Sequence, residues 1–454
     1  MRLSTATLGQ LPADVARPNY GRGGPVGIVH FGIGAFHRAH QAWYTDRAMA
    51  AGDSGWMIAG VSLRSASVRA QLRPQDGLFT VAERGAAGEA LRVVGSVGEV
   101  LVAGHDRDAI TDRIAARECH LVTFTVTEKG YARGADGLLD FKAAEASFYP
   151  LLGEGLARRQ AGGLPGLTLL SCDNLAENGR KLRALLLQHL PDSIHNWFES
   201  ECCCPSSMVD RIVPATTEED LDRIEASLGG LRDGGAVVTE PFSQWVIENR
   251  FAGPRPRWEN HGAQIVEDVA PYETAKLRML NGAHSLLAYC GLDAGHTFVH
   301  EAIRDPALRT LANRLMREEA ATSFTPAAGQ DLDAYADALV TRFENPALQH
   351  RLIQIAMDGS EKIPQRWLET LEANRMRGQR CPAIMHGLAT WLRHIRGDVR
   401  PVDDPAAQEL AGLWQQAGRD GIARALFGPK GRYPQWRASD AELKNLTNQL
   451  GGKR

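Results

Sequence analysis

The first sustained apolar run is "VGIVHFG", residues 26 to 32, in which almost every position is small or apolar. A run that hides both faces reads as a strand inside a parallel sheet. A helical spacing of apolar positions follows from Phe36 to about Ala51, and "WMIAGVSL" (56 to 63) returns to the strand pattern. The unit is strand, helix, strand. Further runs at "GLFTVAE", "LRVVGSV", "HLVTFTVTE" (120 to 128) and "GLTLLSCDN" (166 to 174) continue the series, with a helical pattern after each of the last two. The alternation predicts an α/β protein with an N-terminal Rossmann-type doubly wound sheet, mostly parallel.

The pattern changes after the loop "FAGPRPRWENHG" (251 to 262) and the strand-like "AQIVEDV". From Pro271 onward the stretches 300 to 323, 331 to 345 and 408 to 428 all have apolar residues at helical spacing. Two domains are expected: a dinucleotide-binding domain over 1–270 and a mainly helical, substrate-binding domain over 271–454. No internal repeat or low-complexity segment interrupts them, and the tail "LGGKR" is expected to fray.

Composition narrows the function classes. With 454 residues and 44% hydrophobic content the chain has material for a sizeable core. Its 51 basic and 54 acidic residues are spread throughout and leave a net charge of -3, so neither nucleic acid nor an anionic membrane surface is an expected partner. The amino terminus has no apolar stretch of signal-peptide length, and no later run is long enough to span a bilayer, which predicts a cytoplasmic protein. Seven cysteines, three of them consecutive at Cys202, Cys203 and Cys204, draw neither a disulfide framework nor a zinc-site spacing. No metal is expected.

Candidate chemistry begins right after the first strand, at "FGIGAFHRAH" (31 to 40). Gly32 and Gly34 stand where a Rossmann turn needs residues without a Cβ, one to make the turn and one to admit a pyrophosphate. The third glycine is replaced by His37, so the pattern is only partly met. The acidic residue that commonly ends the second strand and holds the ribose is also absent; Arg64 stands nearby and is suited to a 2′-phosphate or simply to solvent. NAD and NADP both stay open on these residues.

The stretch "AKLRMLNGAHSLLAYCG" (275 to 291) is apolar around most of its girth and therefore predicts a buried helix. Lys276, Asn281 and His284 fall at roughly 0°, 140° and 80° around it, sharing one side. A solvated edge would instead be rich in Glu, Lys and Gln. Desolvation pushes a lysine towards its neutral form, which can accept the hydroxyl proton of a secondary alcohol, and asparagine amides can donate to the resulting alkoxide-like oxygen. Asn174, at the end of "GLTLLSCDN", lies at the carboxyl edge of the sheet and suits either that task or a turn. Glu128 shares the edge, as a proton relay or a cap.

The combination "IVHFGIGAFHRAHQAWYTD", "TVTEKGY", "SCDNLAENG", "SMVDRIVP", "EPFSQWVIEN" and "KLRMLNGAHSLLAYCG" resembles the polyol-specific long-chain dehydrogenases, the family of mannitol 2-dehydrogenase and fructuronate reductase, over about residues 24 to 370. The resemblance implies a metal-independent oxidoreductase with Lys276 as general base. It further implies Asn174 and Asn281 as donors to the reacting oxygen, His284 as a substrate or lysine contact, and Glu128 in proton passage. Expected cofactor contacts are Gly32, Ile33, Gly34, Phe36, Arg38, Arg64 and Thr127, with NAD favoured over NADP.

"IAMDGSEKIPQRWL" (355 to 368) looks more like the fructuronate reductases, and Gln354 stands where mannitol enzymes are expected to carry an arginine. Lys362 and Arg366 are then candidates for a substrate carboxylate, and Asp210 of "SMVDRIVP" for a further substrate contact. Fructuronate/mannonate is the expected pair. Fructose/mannitol, another polyol and altronate/tagaturonate are the alternatives. Outside the family, a 6-phosphogluconate dehydrogenase-like enzyme would want a phosphate-binding basic cluster, and a non-catalytic dinucleotide sensor would have no use for the Lys/Asn/His side of the helix.

Overall fold

A computed structural model describes residues 1–451; the end of the tail expected to fray, residues 452–454, lies outside the described residues. The chain forms two compact units, Met1–Val269 and Ala270–Arg454.

In chain order the strands of the first unit begin with β1 (Val26–Phe31), β2 (Met57–Ser62), β3 (Phe79–Gly85), β4 (Gly88–Val94), β5 (Val97–Val102), β6 (Leu121–Phe124) and β7 (Thr168–Ser171). They are followed by β8 (Ser207–Asp210), β9 (Val237–Thr239), β10 (Gln244–Glu248) and β11 (Gln264–Val266). Five of them make a parallel sheet in the order β5-β2-β1-β6-β7. The strand order reverses between β1 and β6, and a doubly wound sheet binds its ligand outside the carboxyl ends at such a switch point. β1, β6 and β7 are buried almost throughout, which accounts for their unbroken apolar character.

Residues 79 to 94, which continue the strand series in sequence, do not join that sheet. β3 and β4 form an antiparallel hairpin closed between Gly85 and Gly88, with β9 added parallel to β3. The physical reason is loop length: two intervening residues can reverse a chain but cannot cross over to a parallel neighbour. A third small sheet has the order β11-β10-β8. The helix expected from Phe36 to Ala51 is broken into Ala35–Ala39 and Gln41–Ala50. His40 lies at φ -124°, ψ -90°, held there by its ring contacts with Phe36, Tyr44 and Trp245 and by the Gln244 carbonyl at 3.0 Å.

The second unit is helical, as its spacing suggests, but the expected helix over 300 to 323 is segmented. It consists of Val299–Arg304, Pro306–Arg314, a π-helical turn Leu315–Ala320 and a short 3₁₀ piece. Pro306 removes the N–H that would continue the first segment, and the Asp305 carboxylate caps the second by accepting from the N–H groups of Ala307 and Leu308. Among the described residues no helix is long and apolar enough to cross a membrane.

Candidate active site

The first unit builds a dinucleotide turn at the end of β1. Gly32 has φ +98°, and a Cβ there would lie 2.1 Å from the Thr125 carbonyl oxygen. Only glycine fits, because the loop after β6 passes directly against it. Gly34 has nothing nearer than 3.8 Å to a would-be Cβ and is exposed, so its backbone offers open room for a phosphate, as a bound dinucleotide requires. Thr125 Oγ1 donates to the Gly32 carbonyl at 2.8 Å, which obliges His30 Nε2 to donate to Thr125 (2.9 Å) and leaves His30 Nδ1 to accept from Thr123 (2.7 Å). Burial pushes His30 down to about 3, in keeping with this single neutral tautomer. His37, in the place of the third glycine, stacks on His30 with ring centroids 3.4 Å apart.

The expected cofactor contacts separate in space. Ile33 is buried over Gly60, where a Cβ would come within 2.2 Å of it, and so it packs behind the turn. Arg38 also turns inward, donating to the carbonyls of Gly34 (3.3 Å) and Gly235, and burial pushes it down to about 10. Both brace the turn from within. Phe36 is half-buried and stacked on His40, while Arg64 is exposed just past β2.

At the carboxyl edge, β6 ends at Phe124 and not at residue 128, so Thr127 and Glu128 sit in the short helix Thr127–Gly130, both exposed. Thr127 has φ +65°, a left-handed backbone that β-branched residues rarely adopt. Asp173, just past β7, accepts there from two backbone groups: Val126 N–H at 3.0 Å and Thr127 N–H at 2.8 Å. Tyr131 donates its hydroxyl to the same carboxylate at 2.8 Å. Asn174 follows, exposed, three residues beyond the strand. Asp210 is buried at the end of β8, opposite Gln244.

In the second unit the polar stretch is not a plain α-helix. Lys276–Asn281 is a π-helical segment between the α-helices Ala270–Ala275 and Gly282–Asp293. Such wide turns are rare and recur at functional sites. Two more, Leu315–Ala320 and Pro364–Leu368, pack against it. The wider turn alters the angles expected at 100° per residue. Lys276 and Asn281 are half-buried and His284 is buried.

Arg366 from the third π-segment donates to the Asn281 carbonyl (3.4 Å) and the Ser285 hydroxyl (2.8 Å), and Trp367 donates to the Gly282 carbonyl at 3.1 Å. Arg366 is thus brought onto the segment that carries Lys276. Lys362 is not; its ammonium bonds the Met357 carbonyl (2.6 Å) and lies 3.4 Å from the Asp358 carboxylate. Gln354 is exposed.

His284 meets Phe343 and His350 at ring-centroid distances of 4.7 and 5.5 Å. Burial first, and then the charges of His350, Arg342 and Arg366, push it well below the usual histidine range, so it is a neutral imidazole. Burial likewise pushes Arg366 down to about 10, and among the described residues no carboxylate lies within ion-pair distance of it.

Sequence reasoning missed Asp173, Tyr131, Arg342 and His350. Asp173 had a signal, being next to Asn174 at a strand's carboxyl end; Arg342, on the helix Leu332–Phe343, and His350, in the loop that follows, had none, since only tertiary packing brings them to His284. Among the described residues no group of three or more His, Cys, Asp or Glu side chains could hold a metal ion.

Comparison with known proteins adds to this geometry. Residues 26–260 match the mannitol dehydrogenase Rossmann domain and residues 268–433 the mannitol dehydrogenase C-terminal domain. D-mannonate oxidoreductase of Escherichia coli (strain K12) is 40% identical over 429 residues, covering 89% of this chain and 88% of that protein. Mannitol 2-dehydrogenase of Pseudomonas fluorescens, solved as a ternary complex with NAD and D-mannitol, is 32% identical with a TM-score of 0.79, over 99% of this chain and 96% of that one. A substrate-free D-sorbitol dehydrogenase structure is 30% identical with a TM-score of 0.90, over the same shares of the two chains.

Proposed function

The chain belongs to the mannitol dehydrogenase family and is an oxidoreductase that uses a nicotinamide dinucleotide, and from that premise we propose that it interconverts D-mannonate and D-fructuronate with NAD. When bound, the dinucleotide supplies the hydride acceptor for the carbon of a secondary alcohol. Gly32 and Gly34 admit its phosphates at the switch point, braced by Ile33 and Arg38, with Phe36, Arg64 and Thr127 as further contacts. Lys276 takes the hydroxyl proton as general base. Asn281, and Asn174 beyond β7, donate to the oxygen as negative charge develops on it. His284, held neutral, orients the substrate by hydrogen bonding, Asp210 adds a contact, and Glu128 passes the proton to solvent.

The observation that carries the acid reading is Arg366. A half-buried guanidinium with no carboxylate partner among the described residues carries a desolvation cost, and an arriving anion offsets it. Its two hydrogen bonds go to neutral groups, the Ser285 hydroxyl and the carbonyl of Asn281, the last residue of the π-segment that begins at Lys276. A neutral polyol offers it only a hydroxyl. A charge-assisted hydrogen bond is worth about 1.5–3 kcal/mol, so mannonate should be preferred over mannitol by roughly ten- to a hundredfold in kcat/KM.

NAD is proposed on the family resemblance and on the relative solved with it, since the residues after β2 do not choose. Both points are tested by assaying the purified protein with mannonate, altronate, mannitol and arabinitol, each with NAD and NADP, following absorbance of the reduced cofactor. Higher kcat/KM for mannitol than for mannonate overturns the acid reading and leaves the family membership standing. A tenfold preference for NADP overturns the cofactor assignment and points to Arg64.

A further inference from the structure

The left-handed backbone at Thr127 needs a cause. A β-branched residue there costs on the order of 1–3 kcal/mol and persists only where its surroundings impose it. The loop from Thr125 to Gly130 is short and exposed over Thr127, Glu128 and Lys129, so apolar packing does not impose it. Hydrogen bonds donated to one buried carboxylate do. Each oxygen of Asp173 takes one of two successive N–H groups, Oδ2 from Val126 and Oδ1 from Thr127, which pins the two peptide units that lead into the unusual residue.

We infer that Asp173 is the positioning residue of this edge: by clamping the N–H groups of Val126 and Thr127 it sets the turn that presents Thr127 and Glu128, and it ties that turn to Asn174. The inference rests on the roles proposed above for those three residues.

The clamp is itself held on every side. Tyr131, one turn further on, donates to Asp173 Oδ2 and meets the Ser171 hydroxyl at 2.5 Å. The Asp173 carbonyl, which leads into Asn174, accepts from Asn178 Nδ2 at 3.0 Å. Asn178 in turn bridges to β8, donating to the Ser207 carbonyl at 2.7 Å and accepting from the Ser207 N–H at 2.9 Å. One residue therefore sets the geometry past β6 through its side chain and past β7 through its main chain. A carboxylate offers acceptor oxygens to two N–H groups and a hydroxyl together; an asparagine amide would set its own NH₂ against one of the donors.

The test is Asp173→Asn in the full chain, assayed with whichever substrate the wild type turns over, so that failure of the mannonate assignment does not affect it. A folded variant, by circular dichroism, should show faster amide hydrogen exchange in the peptide spanning 121 to 131 and a kcat lower by about tenfold to a hundredfold, with substrate KM changed less than about threefold. In a double-mutant cycle with Glu128→Gln, the double variant should be no slower than about threefold below the slower single variant, because both changes disable one element. Losses that multiply, or a folded Asp173→Asn with kcat within about twofold of wild type, overturn the inference. If Glu128→Gln alone proves silent, the relay role of Glu128 falls, and Asp173 is judged on exchange and kcat alone. Should Asp173→Asn fail to fold, Tyr131→Phe removes one of the three donors and should give the same pattern in smaller measure; unchanged exchange and kcat there would count against the clamp.

Discussion

At the scale of single residues, Lys276 is where the proposed chemistry concentrates. Lys276→Ala should lower kcat by about two to four orders of magnitude, the usual contribution of a general base, while reduced-cofactor binding followed by fluorescence stays nearly unchanged. Retention of a third or more of wild-type turnover would remove the lysine from the mechanism. Arg366→Ala should raise KM for mannonate by about tenfold or more and KM for any neutral polyol far less, with Arg366→Lys between the two, because an ammonium keeps the charge and loses the planar fork. Equal effects on acid and polyol would mean that Arg366 only supports the helix through Ser285. Lys276, Asn281 and His284 were legible in sequence because each is a polar residue inside an apolar run. Arg366 was legible as a basic residue, but the absence of a counter-ion was not, since that depends on every chain segment folded around it.

At the scale of elements, the glycine turn and the π-segments carry the most consequence. Gly32→Ala should raise KM for the dinucleotide by tenfold or more and lower the thermal midpoint, since its Cβ would be driven to 2.1 Å from the Thr125 carbonyl in a backbone at φ +98°. Gly34→Ala, with free space around it, separates the two effects: a fall in affinity without a fall in stability. The turn was readable because it depends on three or four consecutive residues. The π-segments were not. Periodicity assumes about 100° per residue, and the segment Lys276–Asn281 departs from it where Arg366 and Trp367 bond the carbonyls of Asn281 and Gly282. The same limit applies to β3 and β4, whose strand character was plain while their pairing in a separate sheet was not.

At the scale of the whole molecule, pH and stability are linked through Glu319. Its carboxylate is buried in the π-segment Leu315–Ala320 and accepts from Ala383 and Ile384 N–H at 2.6 and 2.9 Å, the first turn of the helix Pro382–His394. Burial outweighs these bonds and raises it from 4.5 to about 7. A raised carboxyl favours the folded state most while it is protonated. Its contribution is therefore full below about pH 4.5 and is lost as pH rises through about 7. The change amounts to about 3 kcal/mol at most. Glu319→Gln should flatten that slope, so the difference in thermal midpoint between variant and wild type should shift in the variant's favour between pH 5 and 8. Parallel curves would mean that the two N–H bonds hold the carboxylate ionised throughout.

What the amino-acid order determined alone was whatever depends on near neighbours: the α/β alternation followed by helices, the glycine turn after β1, and a lysine, an asparagine and a histidine in an apolar helix. Propensity and periodicity act over a few residues, so these features survive without knowledge of the rest. Tertiary structure decided which strands share a sheet, where helices widen into π-turns, that Asp173 clamps a loop more than 40 residues before it, and that Arg366 is half-buried with no carboxylate partner among the described residues. Each of these depends on desolvation and on hydrogen bonds between segments far apart in sequence, and those exist only once the chain has packed.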